Sequence, residues 1–110
     1  MLKSKVSKEM GRRIVKSFLD IAMMSKLMDG NPMSGYDVIM FVHSKFRILL
    51  SSGTVYSALY SMEREGLVRS MWSNRKRVYE LTEKGEKTIE TMRGLIEETQ
   101  RTVKLLVGSK

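Results

Sequence analysis

Residues 51–68, SSGTVYSALYSMEREGLV, carry many hydrogen-bonding side chains at helical spacing. Val55, Leu59 and Met62 recur at i, i+4 and i+7, so we expect them to face a core. The other positions hold hydroxyls, phenols and one guanidinium, on Ser52, Thr54, Tyr56, Ser57, Tyr60, Ser61 and Arg64. Because these groups donate or accept hydrogen bonds, the chemistry that this helix offers is recognition of a polar partner.

Catalytic combinations of residues are missing from the chain. Glu63 and Glu65 are two residues apart on a helix and therefore point in different directions. There is one histidine, His43, and no cysteine, so neither a metal site nor a Ser-His-Asp set can be assembled. We expect a protein that is not an enzyme and needs no cofactor or metal, with His43 as a surface or structural residue.

Positive charge is concentrated in the first two-thirds of the chain. The 110 residues have a net charge of +8. Residues 1–16 contain six cations and one anion, and residues 44–81 contain seven cations and three anions. Residues 83–107 contain five of each. This distribution favours an anionic partner such as nucleic acid over an acidic protein or a membrane surface.

Length and composition indicate one domain in the cytoplasm. A chain of 110 residues is large enough for one core and too short for two. The absence of cysteine fits a reducing compartment. Apolar runs reach about five residues, far below the ~20 that a membrane helix needs, and Lys16 and Asp20 interrupt the one candidate export signal.

The first half of the chain is predicted to form a basic arm followed by three helices. Residues 1–10 are predicted to be flexible, and apolar stripes indicate a helix over residues 12–28 that ends before Pro32. Ser34 can cap a second helix, and Ser51 or Ser52 can cap the third, which stops at Gly66. A brief strand is plausible at residues 48–50.

The second half changes periodicity. Residues 67–72 and 76–81 are rich in strand-favouring residues and flank the polar turn 73–75, which predicts an antiparallel hairpin with a basic tip. Thr82 can cap a last helix of ~25 residues. One face of this helix recurs in alternating steps of three and four residues, which is the pattern of a helix that packs lengthwise on another helix. Its positions are Ile89, Met92, Ile96, Thr99, Val103 and Leu106.

Together these elements predict a mainly α fold with a small β-hairpin (α+β), namely a winged helix-turn-helix with a long C-terminal dimerisation helix. The boundaries are 1–10 for the arm, 11–82 for the DNA-binding domain and 83–110 for the dimerisation helix and tail. In this fold the third helix enters the major groove and the hairpin contacts backbone or minor groove. The hairpin residues expected at DNA are Asn74, Arg75, Lys76 and Arg77.

Several strings, in order and spacing, resemble the PadR-type transcriptional regulators over roughly residues 14–90. They are Ser34-Gly35-Tyr36-Asp37-Val38, Ser52-Gly53-Thr54-Val55-Tyr56, Leu59, Glu63-Arg64-Glu65-Gly66-Leu67-Val68 and Tyr79-Glu80-Leu81-Thr82-Glu83-Lys84-Gly85. The resemblance implies a homodimer joined through the N-terminal and C-terminal helices, and repression at palindromic operators. Phe18 and Ile21 would then join the apolar positions of the last helix in the dimer contact.

Two departures from the family pattern affect what carries over. Ser57 stands where the family often has proline after the motif tyrosine. Some short members bind flat aromatic ligands between tryptophans of the dimer helices, whereas the last helix here contains no aromatic residue. A small-molecule effector is thus possible, but nothing in the sequence supports one.

For the aromatic residues we weigh core packing against DNA contact. Tyr60 is expected to be partly exposed to DNA, and both roles stay open for Tyr56. Tyr36 is expected in the core, and Trp72 in the core or in packing within the hairpin, because aromatic residues dominate the cores of small domains.

Three functions fit these features. The first is a homodimeric, sequence-specific regulator of double-stranded DNA that represses transcription from a palindromic operator. The second is an architectural protein of the same fold that coats DNA with little sequence preference. The third is an interaction module whose hairpin binds an acidic protein.

Overall fold

The computed structural model describes residues 5–108, except for the side chains at positions 6 and 7. Within this range the helices are α1 (Lys5–Ser17), α2 (Leu19–Leu27), α3 (Gly35–Phe46), α4 (Ser52–Arg64), α5 (Glu83–Gly94) and α6 (Ile96–Leu106). The strands are β1 (Met33–Ser34), β2 (Val68–Ser73) and β3 (Lys76–Leu81). The predicted mainly α fold with a small hairpin is confirmed.

Capping residues begin the helices where the sequence indicated. The Ser34 hydroxyl accepts from the Asp37 N–H at 3.1 Å, and the Asp37 carboxylate accepts from the Ser34 N–H at 2.9 Å, which forms a complete capping box. Ser51 caps α4 by accepting from the Thr54 N–H, and Thr82 caps α5 by accepting from the Gly85 N–H. These bonds satisfy N–H groups that have no partner inside the helix.

Three strands form one antiparallel sheet in the order β1-β3-β2. The hairpin β2–β3 pairs Ser73 with Lys76 across a two-residue turn, in which Asn74 and Arg75 have φ of +50° and +67°. Two positive φ values identify a type I′ turn, whose twist matches that of the strands.

The strand suggested at residues 48–50 is wrong. Those residues form a loop in which Ile48 and Leu50 are buried, so their apolar character serves the core. The third strand is instead β1, whose Met33 and Ser34 pair with Tyr79 and Val78 of β3.

The core lies between α2, α3, α4, α5 and one face of the sheet. Its most deeply buried large side chains are Met23, Met24, Val38, Val42, Val55, Leu59, Val68 and Ile89. At the start of α5, a side chain at Gly85 would overlap the carbonyl of Leu67, so only glycine permits this approach. The same crossing is held by the Thr82 hydroxyl, which donates to the Gly66 carbonyl.

Both terminal helices differ from the sequence prediction. Helix α1 begins at Lys5, so residues 5–10 of the predicted flexible arm are helical, while residues 1–4 lie outside the described part. Phe18 then separates α1 from α2, and Leu95 separates α5 from α6, where one helix had been expected in each case. The Phe18 N–H still bonds the Ile14 carbonyl four residues back, whereas the Leu95 N–H bonds the Met92 carbonyl three residues back.

In residues 5–108, none of the helices is both long enough and apolar enough to cross a bilayer.

Candidate DNA-binding surface

Helix α4 presents its polar side chains to solvent on the side opposite its buried Val55, Leu59 and Met62. The exposed residues are Ser52, Tyr56, Ser57, Tyr60, Ser61 and Arg64. Thr54 is half-buried, and its hydroxyl accepts from the Ser51 hydroxyl at 3.0 Å as part of the helix cap. The structure therefore leaves six of the seven polar positions accessible to a partner, with Thr54 contributing mainly to the start of the helix.

Tyr60 and Arg64 form a stacked pair at the centre of this face. The guanidinium carbon of Arg64 lies 5.6 Å from the ring centroid of Tyr60, whose side chain is 63% exposed. The exposure expected for Tyr60 is confirmed. Stacking holds a flexible arginine over a rigid ring, which reduces the entropy that the arginine loses when it binds an anion.

Tyr56 both packs and faces solvent. Its ring lies against Gly35 at the start of α3, while about half of the residue stays exposed. Packing is therefore confirmed for Tyr56, while its contact with DNA stays a prediction. The packing fixes the ring between α3 and α4, and the exposed edge remains available to a ligand.

The hairpin, which we call the wing (residues 68–81), ends in four exposed residues, Asn74, Arg75, Lys76 and Arg77. In the described part of the chain these three cations make no salt bridge, whereas Arg69 further down the wing pairs with Glu80 at 2.7 Å. Cations without a counter-charge keep their full attraction for phosphates.

A hydrogen bond joins the wing to α4. The Ser70 hydroxyl of β2 donates to the Glu63 carboxylate of α4 at 2.7 Å. This half-buried bond connects the base of the wing to the helix that carries most of the predicted DNA-facing side chains.

Two aromatic residues lie outside the core. Tyr36 is exposed, because Val38 and Val42 turn inward and position 36 lies about 200° around the helix from position 38. The prediction that Tyr36 packs in the core is wrong. Trp72 is 71% exposed, because β2 extends beyond the end of the core. Of its two predicted positions the structure excludes the core, whereas packing within the hairpin agrees with the Arg77 guanidinium that lies 5.8 Å from the ring centroid.

Two further cations lie near the start of α4 and were not predicted from the sequence. Arg47 ends α3 in the left-handed conformation with φ of +59° and is exposed in the loop before α4. Arg12 of α1 donates to the Leu49 carbonyl in the same loop at 3.3 Å. The charge of both was visible in the sequence, but their proximity to the loop depends on how α1 packs.

The residues expected in a dimer contact divide into two groups. Five of them line one open cleft of about 560 Å³ between the α1–α2 junction and α6, together with Gln100 and Lys104. These five are Phe18, Ile21, Ile96, Thr99 and Val103.

The remaining three lie elsewhere. Ile89 is completely buried in the core of its own chain, so its assignment to a dimer contact is wrong. Its helix, α5, packs against α2 and β3. Met92 is partly buried against the same core, and Leu106 is 81% exposed near the end of α6.

His43 is exposed, as expected. Among residues 5–108, no cluster of histidine, cysteine and carboxylate side chains could hold a metal ion.

A helix-turn-helix followed by a two-stranded wing defines the chain as a winged-helix protein. The model of the transcriptional regulator PadR-like family matches residues 24–91, and the chain belongs to this family. Its members are DNA-binding transcriptional regulators, not enzymes. The family resemblance seen in the sequence is thereby confirmed. Among curated proteins, no sequence matches the chain significantly.

Solved structures share the fold over most of the chain. A PadR family regulator from Eggerthella lenta is 19% identical, with a TM-score of 0.75 over 96% of this chain and 95% of its own. A PadR family regulator from Clostridium difficile is 25% identical, with a TM-score of 0.69 over 83% and 99%. The winged-helix DNA-binding protein F93 from STIV is 22% identical, with a TM-score of 0.62 over 72% and 86%.

Proposed function

We propose that the protein binds double-stranded DNA sequence-specifically as a homodimer, at a palindromic operator, and represses transcription in the cytoplasm. The observation that carries the proposal is the exposed polar face of α4, which the Ser70–Glu63 hydrogen bond joins to the basic wing. Hydroxyl, phenol and guanidinium groups of α4 can bond base edges and phosphates in the major groove. Arg75, Lys76 and Arg77 at the wing tip supply attraction for the backbone beside it.

Apolar surface on the terminal helices supports the homodimer. Helix α6 has no buried residue, and its Ile96 is 54% exposed in the single chain. On α1, Met10 and Ile14 are exposed four residues apart and continue toward Phe18 and the cleft. Apolar stripes of this kind are stable in water only when another surface covers them. A second copy provides the same stripes by two-fold symmetry.

Dimerisation explains the proposed palindrome. Two copies of α4 related by a two-fold axis read the same sequence on opposite strands, with recognition helices about 34 Å apart on successive major grooves. Repression then follows from occupancy alone, since a dimer seated on promoter DNA excludes polymerase. The polar tyrosine and serine face of α4 reads bases, so we expect sequence preference and not general coating.

Selection from a random duplex pool, followed by binding titrations, tests the specificity. A regulator should prefer its selected site by at least ~10³-fold over random duplex at physiological salt. Equal affinity for every sequence, with the same steep salt dependence, would instead support an architectural coating protein. Retention of an acidic protein but not of duplex DNA would support the interaction module.

Transcription in vitro tests the direction of regulation. With the selected site placed across a promoter, added protein should lower transcript yield in proportion to site occupancy. The same template with a scrambled site is the control. Increased transcript from the intact site would contradict repression while leaving DNA binding in place.

A further inference from the structure

Trp72 occupies a position on the wing that protein packing does not explain. Side chains of a strand alternate between the two faces of a sheet, so Val68, Ser70 and Trp72 share one face. Val68 on this face is buried in the core and Ser70 contacts Glu63 of α4. Trp72 continues the same face past the end of the core, on the side of the wing that faces α4.

Arg77 covers one side of the indole. Trp72 pairs with Arg77 across the hairpin, and the guanidinium carbon lies 5.8 Å from the ring centroid. Even with this contact, Trp72 remains 71% exposed. An exposed tryptophan contributes much less to the stability of the fold than a buried one, because most of its apolar surface stays in water. A partner that covers the ring would remove that surface from water.

The charges around Trp72 favour DNA as that partner. The wing holds four cations, Arg69, Arg75, Lys76 and Arg77, and one anion, Glu80. Glu80 is already paired with Arg69, and the charged residues at the wing tip beside Trp72, namely Arg75, Lys76 and Arg77, are all cations. An apolar protein partner would leave these cations without counter-charges. Duplex DNA offers both phosphates for the cations and deoxyribose rings and base edges for an aromatic ring.

We propose that Trp72 is a DNA-contacting residue whose indole packs against the deoxyribose rings and base edges of the groove that the wing enters, with Arg77 stacked on its other side. The proposal rests on the proposed function of the α4 and wing surface. It adds an apolar contact, independent of salt, to an interface that otherwise attracts DNA by charge. Trp72 thereby strengthens binding where the groove admits the ring, and the wing contributes to site preference.

Intrinsic fluorescence gives a direct test, because Trp72 is the only tryptophan in the chain. The full chain is titrated with its selected duplex, and the emission and its quenching by acrylamide are followed. We expect saturation to change the emission and to protect the indole from acrylamide. Trp72→Ala should weaken binding by about 10-fold, as expected for losing one aromatic contact with nucleic acid. Trp72→Phe, the matched control, should retain most of the affinity.

Salt dependence separates direct contact from an effect through Arg77. Trp72→Ala removes no charge, so the slope of log K against log salt should equal that of the unaltered protein. A slope that falls by about one unit, as for Arg77→Ala, would show that the ring acts only by holding Arg77 and would overturn the contact.

Two further results would overturn the proposal. One is unchanged emission at saturation with a Trp72→Ala affinity within about twofold of the original. The other is an emission change that follows protein concentration without DNA, which would assign Trp72 to contact between chains. In either case, continued sequence preference of the unaltered protein would leave the proposed function standing. Loss of that preference would refute the function itself.

Discussion

The ring of Tyr56 in α4 lies directly over Gly35, the first residue of α3, and a side chain at position 35 would overlap it. This contact joins the two helices of the helix-turn-helix beside the cap at Ser34. Because Tyr56 is also half exposed, the same ring sets the angle of α4 and contributes to its outer surface.

Gly35→Ala should therefore destabilise the fold. The added methyl group forces the Tyr56 ring or α4 to move, and overpacking of this kind costs about 1–3 kcal/mol in the free energy of unfolding. Chemical denaturation measures the change. Gly53→Ala is the matched control, since a Cβ there meets only the Ser51 hydroxyl at 4.0 Å. It should stabilise α4 by roughly 0.5–1 kcal/mol, because alanine is the better helix former. Equal effects of the two substitutions would contradict the packing role of Tyr56.

Replacing Arg75 by glycine should separate stability from DNA binding. Arg75 has φ of +67° in the type I′ turn, a conformation that costs a non-glycine residue roughly 1–2 kcal/mol. Arg75→Gly creates the preferred Asn-Gly turn and should raise the free energy of unfolding by up to about 1 kcal/mol. It also removes a phosphate contact, so DNA affinity should fall. Thermal unfolding and DNA titration on the same variant measure both. If affinity holds while stability rises, Arg75 has no part in the interface.

Single alanine substitutions at Arg75, Lys76 or Arg77 should weaken binding to all duplexes alike. Each is expected to lower the slope of log K against log salt by about one unit, since one counterion fewer is released. Titrations at several salt concentrations, on selected and random duplexes, give the slopes. Lys87→Ala on α5 is the control, because Lys87 is also exposed but lies outside α4 and the wing. A wing variant with the control's slope would lack a phosphate contact.

Ile96→Glu should convert the proposed dimer to monomers. The substitution places a charge in the cleft shared with Phe18 and Val103, where association would bury it without a partner. Light scattering gives the molecular mass. Leu105→Glu is the matched control on the same helix, since nine residues are two and a half turns and place it on the opposite face. An unchanged mass for Ile96→Glu, or equal dissociation by Leu105→Glu, would exclude this face as the contact.

Local signals in the sequence located most of the fold. Ser34, Ser51 and Thr82 cap their helices as predicted. A hydroxyl just before an apolar helical pattern can accept a hydrogen bond from an N–H of the first turn, so the start of the helix depends on neighbouring residues alone. Gly66 has φ of +78° where the sequence placed the end of the third helix. The polar face of α4 was equally readable, because the spacing of its apolar residues fixes which positions face out.

Features that depend on contacts between residues far apart in the chain could not be predicted from the sequence. Strand β1 has two residues and exists because Met33 and Ser34 pair with β3, more than forty positions later. The exposure of Trp72 depends on where the core ends beneath the sheet, which no local pattern encodes. Ile89 shares the periodicity of the last helix but is buried in the core, where α5 packs against α2 and β3, so periodicity alone could not distinguish a core position from one on a dimer face.

The wing is held by two contacts near its base. Strand β1, which leads straight into the Ser34 cap of α3, pairs with β3, and Ser70 of β2 is bonded to Glu63 of α4. These contacts fix the base of the wing relative to α3 and α4. In the proposed complex, a duplex that contacts both α4 and the wing therefore has to fit a preset spacing, by bending or by a change in groove width. The bending stiffness of the DNA site, in addition to its base sequence, then affects the binding affinity.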